Sequence, residues 1–159
     1  MGKEKVLPRE KLAQVLKKLR EEGKRIVFTN GCFDILHPGH LKTLREAKKR
    51  GDVLVVAINS DDSVRRIKGE ERPFTPEEER AEILASLEMV DFVTIFEEDT
   101  PYQIIKELRP DILVKGADWA PDKIIGRDLV ESWGGEVVLV PPLPGYSTTQ
   151  IIKKIRETS

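Results

Sequence analysis

The chain has 159 residues, 39% of them hydrophobic and 35% charged, which is enough for one domain with a substantial core. Its 27 Lys and Arg offset 28 Asp and Glu to a net charge of −1, which removes the electrostatic case for bulk binding to nucleic acid or to a membrane surface. No apolar stretch approaches a membrane span, the N-terminus has no apolar signal core, and the single Cys32 excludes an internal disulfide and fits a cytoplasmic protein.

Pro8 to Glu22 reads as a helix, because Leu12, Val15, Leu16 and Leu19 form an i, i+3, i+4, i+7 stripe that Gly23 ends. A single domain over 1–159 is expected, with the segment 1–23 packed on its core as an N-terminal helix. Lys24 to Asn30 reads as the first strand. Pro38 to Arg50 reads as a helix with Pro in its first turn and Gly51 as its stop. Asp52 to Asn59 is a continuous apolar run, the pattern of a strand covered on both faces. Ser60 to Ile67 reads as a short helix and Lys68 to Phe74 as a charged loop. Thr75 to Glu78 carries a capping-box pattern that opens a helix running to about Met89. Val90 to Phe96 reads as a strand, and a helix follows from Thr100-Pro101 to just before Pro110. Asp111 to Val114 is a strand leading into Lys115-Gly116, and Ala117 to Gly126 a loop. Arg127 to Trp133 is a short helix stopped by Gly134-Gly135. Glu136 to Val140 is the last strand, and Ser147 opens a closing helix with Ile151, Ile152 and Ile155 on its inner side.

Strands alternating with helices imply βαβ units and a parallel sheet of about five strands, in an α/β, Rossmann-like, doubly wound fold. Ligands on such sheets bind beyond the carboxyl ends of the strands, at the switch point of the topology. Three motifs follow strands: His37-Pro38-Gly39-His40, Lys115 to Trp119, and Gly145 to Thr149. All three are therefore expected at one edge of the sheet.

The only two histidines of the chain, His37 and His40, lie three residues apart where a strand feeds a helix. A helix N-terminus presents unpaired N–H groups and the positive end of the dipole, so an anion belongs there. Three readings of the pair stand open on the residues alone: donors to phosphoryl oxygens, ligands of a metal together with Cys32, or ordinary capping and core histidines. Gly31 permits a tight turn whose amides approach a phosphate, and Gly39 leaves room for a bound group. No dinucleotide fingerprint and no phosphate loop of the G-x-x-x-x-G-K-[ST] kind occurs. Ser147-Thr148-Thr149 is a second helix start, suited to a second phosphate or simply to capping. Lys68, Arg72 and Arg80 are cations in or just after the charged loop, placed to close over phosphates or to be solvated. Asp118 and Trp119 suit a ribose or base, whereas Trp133 reads as packing.

Taken together, Thr29-Asn30-Gly31-Cys32-Phe33-Asp34-Ile35-Leu36-His37-Pro38-Gly39-His40, Lys115-Gly116-Ala117-Asp118-Trp119 and Gly145-Tyr146-Ser147-Thr148-Thr149 resemble the H-x-G-H nucleotidyltransferases. Within them, the match is to the adenylyltransferase domain of ADP-heptose synthase. That resemblance implies transfer of AMP from ATP to a sugar 1-phosphate, D-glycero-D-manno-heptose 1-phosphate, giving ADP-heptose for lipopolysaccharide biosynthesis and pyrophosphate. It assigns catalysis to His37, His40 and Lys68. It assigns nucleotide binding to Asn30, Gly31, Cys32, Phe33, Asp34, Gly39, Arg72, Lys115, Gly116, Asp118, Trp119, Gly145, Tyr146, Ser147, Thr148 and Thr149. Mg2+ is expected on the ATP phosphates, with no metal ligands from the protein.

Glycerol-phosphate cytidylyltransferases resemble the chain less, because they carry an Arg shortly before their S-T-T where this chain has Pro142-Leu143-Pro144. A cytidylyltransferase acting on glycerol 3-phosphate or a related polyol phosphate is the alternative enzyme, and a nucleotide-binding regulatory module the alternative outside catalysis. The expected partners are a nucleoside triphosphate and a sugar phosphate, with no nucleic acid and no membrane. A homo-oligomer is expected, as is a separate sugar kinase that supplies the substrate.

Overall fold

The structure is a computed structural model that describes residues 2–116 and 123–158. Five parallel strands form one sheet: β1 (Ile26–Gly31), β2 (Val53–Asn59), β3 (Phe92–Phe96), β4 (Ile112–Gly116) and β5 (Glu136–Val140), in the spatial order β3-β2-β1-β4-β5. The helices are α1 (Arg9–Glu21), α2 (Pro38–Lys48), α3 (Asp61–Lys68), α4 (Glu77–Ala85), α5 (Tyr102–Leu108), α6 (Arg127–Ser132) and α7 (Thr148–Thr158). This is the expected α/β, Rossmann-like architecture.

Alternation along each strand divides the interior in two. Leu54, Val56 and Ile58 of β2 pack with Leu44 and Ala47 of α2 and with Ala81, Leu84 and Ala85 of α4. Val53, Val55 and Ala57 point the other way, onto Leu12 and Leu16 of α1, Ile104, Ile105 and Leu108 of α5, and Val130 of α6. All seven residues of β2 are buried, which is why that segment reads as an unbroken apolar run.

Strand order reverses between β1 and β4. Their paired register covers only Val27 with Ile112 and Phe28 with Leu113. Beyond that point the Thr29 hydroxyl donates to the Val114 carbonyl at 3.0 Å, so a side chain takes over from the backbone ladder. The sheet thus parts at its carboxyl edge at the switch point, where a crevice is required.

Several boundaries differ from expectation for local reasons. Strand β1 begins at Ile26 rather than Lys24, because carboxylates claim the entering amides: Arg25 N–H donates to Asp52 Oδ2 at 2.8 Å and Ile26 N–H to Asp111 Oδ2 at 2.7 Å. The capping box at Thr75 does not form. Pro76 takes the cap position without a side-chain bond, and the Thr75 amide is turned to Asp34 instead. Helix α4 stops at Ala85, not near Met89, where the Ser86 hydroxyl donates to the Glu82 carbonyl at 2.8 Å.

Helix α7 departs furthest. Ile155, expected on an inner face, is 57% exposed, and no residue of the helix is fully buried. It lies beside the loop that follows α3 rather than flat on the sheet, tied by Arg156 to Glu71 at 2.5 Å and by the Thr148 hydroxyl to the Ile35 carbonyl at 3.2 Å. Among the described residues, no helix is long and apolar enough to cross a membrane.

Candidate active site

The turn between β1 and α2 builds the centre of the site. Gly31 closes the strand, yet the left-handed residue of the turn is Phe33, at φ 49°. A non-glycine residue there carries a conformational cost, which the packing of its ring must offset. The Phe33 ring is buried and lies 5.1 Å from the His40 imidazole. A Cβ at Gly31 would come within 3.0 Å of that ring, so the glycine serves the Phe33 packing as well as the turn.

His37 is the N-cap of α2 and His40 its third residue. The Gly39 amide donates to His37 Nδ1 at 3.1 Å, and the His37 amide donates to His40 Nδ1 at 3.3 Å. This is a capping box made entirely of imidazoles. An Nδ1 that accepts from an amide carries no proton, so both neutral rings hold theirs on Nε2, the nitrogen turned away from the backbone. The rings stack at 3.8 Å and 25°, and the Tyr146 ring lies near-parallel to that of His37 at 6.3 Å and 20°. A Cβ on Gly39 would sit 2.8 Å from His37 Cε1, so the space expected for a ligand is filled by His37's own ring.

Burial lowers the basicity of His37. Burial, and then the neighbouring His37, lower His40 from 6.5 to about 4. The pair is therefore neutral near pH 7 and offers two Nε2–H donors beside a helix N-terminus. Such an arrangement binds oxyanions without bringing net positive charge.

Asp34 holds the next layer. Its side chain is wholly buried and accepts from Arg72 Nε at 2.7 Å, from the Phe74 amide at 2.9 Å and from the Thr75 amide at 2.9 Å. The sequence suggested a nucleotide contact here; the structure shows the carboxylate clasping the 72–75 loop. Arg80 was one of three candidate cations, and it is wholly buried. Its guanidinium donates to the carbonyls of Thr75, Cys32 and Asn59 and to Asp61 Oδ1, each at 2.8 Å. It braces the turn with four of its N–H donors. Neither role could be found from local spacing, because the partners lie 19 to 48 residues away for all but Thr75.

Some of the remaining predicted residues line two grooves beside α7. One, of about 750 Å³, is lined by Lys68, Arg72, Phe74, Thr149 and Lys153, among others. The other, of about 320 Å³, is lined by His37, Gly145, Tyr146, Gln150 and Lys154, among others. The first turn of α7 stands between them. There the Ser147 hydroxyl accepts from the Gln150 amide at 3.0 Å, while Thr148 ties the helix to the β1 turn. Ser147 and Thr148 thus have structural uses.

Asn30, next to last in β1, has its Oδ1 buried and without a hydrogen-bond partner, an unmet acceptor at the switch point. Burial raises the Cys32 thiol, against the opposing charges of Lys68, Arg80 and Arg72, so it stays protonated. Lys115 and Gly116 close β4 at the same sheet edge. Asp118 and Trp119 lie outside the described residues. Among the described residues, no group of three or more His, Cys, Asp and Glu gathers as a metal site.

Residues 28–154 match the cytidylyltransferase-like family model. The chain is 57% identical over 148 residues to the bifunctional protein HldE of Geotalea uraniireducens, covering 93% of this chain and 30% of that protein. It is 52% identical over 155 residues to the namesake from Paramagnetospirillum magneticum, covering 98% and 32%. The chain thus spans about a third of the length of these relatives. The lipopolysaccharide core biosynthesis protein of Thermoplasma volcanium superposes with a TM-score of 0.63 at 31% identity, over 76% of this chain and 98% of that one. Pantoate-beta-alanine ligase of Francisella tularensis, at 17% identity and TM-score 0.64, shares the fold over 96% of this chain and 77% of its own.

Proposed function

The chain belongs to the cytidylyltransferase-like family, and we propose that within it the protein is an adenylyltransferase. It moves AMP from ATP onto the phosphate of a sugar 1-phosphate, D-glycero-D-manno-heptose 1-phosphate, and releases pyrophosphate. The observation that carries this reading is the imidazole pair at the N-terminus of α2, neutral and with both Nδ1 atoms already engaged by amides.

A phosphate oxygen of the sugar attacks the α-phosphorus in line. The bond from that phosphorus to the bridging oxygen breaks, and its electron pair leaves with pyrophosphate. The nucleophile is already anionic, so no side chain has to remove a proton. What remains for the protein is alignment and stabilisation of charge that grows on the phosphoryl oxygens. His37 and His40 supply Nε2–H donors there. The α7 start, with Ser147, Thr148 and Thr149, lies between the histidine groove and the groove of Lys68 and Arg72, which suits a triphosphate lying across a helix N-terminus.

Mg2+ belongs with the substrate on this reading. No metal cluster forms among the described residues, and the Asp34 oxygens are taken by Arg72 and two amides. The phosphates themselves suit such an ion.

The choice of ATP and a heptose rests on the motif resemblance and on Pro142-Leu143-Pro144 standing where cytidylyltransferases carry an Arg. Similarity to a lipopolysaccharide core biosynthesis protein supports the same chemistry. We further propose a cytoplasmic homo-oligomer whose sugar phosphate comes from a kinase reaction.

The test is to incubate the protein with ATP or CTP and with heptose 1-phosphate or glycerol 3-phosphate, following pyrophosphate. Release with ATP and the heptose phosphate alone is expected. Release with CTP and glycerol 3-phosphate would make it a cytidylyltransferase. Nucleotide binding without release for any acceptor would make it a regulatory module.

A further inference from the structure

Two arginines stand beside the β1 turn, Arg80 enclosed by its partners and Arg72 open at one end. A guanidinium has five N–H donors. Arg80, 0% exposed, spends its Nε, Nη1 and Nη2 on three carbonyls and a carboxylate. Arg72 is only 14% exposed, yet it spends Nε alone, on Asp34. Its Nη1 and Nη2 have no hydrogen-bond partner among the described residues. Neither Nη is buried, so both groups reach solvent and stand open to a ligand while Nε is fixed.

Arg72 lines the larger groove with Lys68, Thr149 and Lys153, and Glu70, Glu71 and Glu157 line it as well. The Phe74 ring lies 6.0 Å from the Arg72 Cζ. Asp34 fixes that pose three times over, since the same carboxylate also accepts the Phe74 and Thr75 amides. A planar fork held at Nε presents its two Nη groups together, the geometry that receives two oxygens of one phosphate.

We infer that Asp34 is a positioning residue for Arg72, and that Arg72 receives the pyrophosphate leaving group. This rests on the adenylyltransferase reading above. It supplies the cation that the Pro142-Leu143-Pro144 stretch lacks, and it draws that cation from a different element of the fold. Arg72 acts on the leaving group alone, so pyrophosphate depends on it and AMP does not.

Binding of inorganic pyrophosphate and of AMP to the full chain, measured separately by calorimetry, tests this. Arg72→Gln is expected to weaken pyrophosphate about tenfold or more and to leave AMP within about twofold, as for loss of a bidentate charged contact. Arg72→Lys is expected to fail similarly, because one ammonium cannot serve Asp34 and present a fork as well. Asp34→Asn, whose amide oxygen still accepts from the loop, is expected to weaken pyrophosphate selectively and to add nothing in combination with Arg72→Gln. Full affinity in Arg72→Lys overturns the positioning role, as does a parallel loss of AMP and pyrophosphate in Asp34→Asn. Unchanged pyrophosphate binding in Arg72→Gln, or in the wild type no binding at all, overturns the inference outright. If Asp34→Asn does not fold, the comparison of Arg72→Lys with Arg72→Gln decides. A wild type that releases no pyrophosphate from any nucleotide and acceptor pair defeats the parent reading instead.

Discussion

The imidazoles of His37 and His40 are stacked 3.8 Å apart, and each accepts a backbone amide of its own helix start at Nδ1. The two rings are at once a helix cap and a pair of outward donors. That dual role separates their effects on stability and on turnover.

Replacing either histidine by Ala is expected to lower kcat by about 10²–10³, the usual cost of a lost transition-state donor. The accompanying loss of a cap is about 0.5–2 kcal/mol. His40→Ala is expected to be the less stable variant, because His40 is the more deeply buried ring and packs against Phe33. Steady-state pyrophosphate release and denaturant melts measure the two effects. Near-normal turnover in both variants would refute the assignment.

Acid should destabilise the fold through the same residues. His40 in the folded chain sits at about 4, below its ordinary 6.5, and His37 is lowered too. The unfolded chain therefore binds the proton more tightly. The contribution of the neutral rings is fully present above about pH 6.5 and is lost as pH falls from there towards 4. Urea titrations between pH 7.5 and 4.5 should show stability falling, with a shallower slope in His40→Gln. An equal slope in that variant would assign the acid sensitivity elsewhere.

Gly39→Ala sets two effects against each other. Alanine favours a helix over glycine by about 0.5–1 kcal/mol. The added Cβ, 2.8 Å from His37 Cε1, must however push the imidazole off its cap. Turnover is expected to fall at least about tenfold, one donor being displaced, while the melting temperature changes little. A variant of normal activity would show that His37 can work from another pose.

Arg80→Gln is expected to cost about 3–5 kcal/mol, the range for breaking a buried charged pair. It strips hydrogen bonds from Cys32, Asn59, Thr75 and Asp61 together. Chemical denaturation measures this, and a loss below about 1 kcal/mol, the scale of an exposed pair, would mean that the brace is redundant. Arg80→Lys should rescue little, since one ammonium cannot reach acceptors that converge on a planar fork.

Much of the architecture is legible from residue spacing. Each strand and helix that periodicity predicts is found among the described residues, because burial on one or both faces imposes a period that local chemistry cannot hide. Boundaries moved where a distant side chain intervened, as Asp52 and Asp111 do at the start of β1. The inner face expected for α7 forms only in part, with Ile151 and Ile152 half-buried, because an apolar stripe does not say which surface will be there to cover it. Ile155 keeps the helical period of a core residue and stays 57% exposed.

By itself, the sequence determined the parallel sheet, the strand-to-helix turn and the placing of His37 and His40 at a helix N-terminus. All of these follow from spacing within a few residues. The cations were a different matter. Lys68, Arg72 and Arg80 look alike along the chain, and only the tertiary structure sorted them. It sealed Arg80 into the turn as a brace, hung Arg72 from the buried Asp34, and left Lys68 at the end of α3 lining the larger groove. A charge acquires its role from how far it is desolvated and from what it meets there. The carboxylate that meets Arg72 lies 38 residues away, and the Cys32 carbonyl that meets Arg80 lies 48 away. Contacts of that range come into being only when the chain folds.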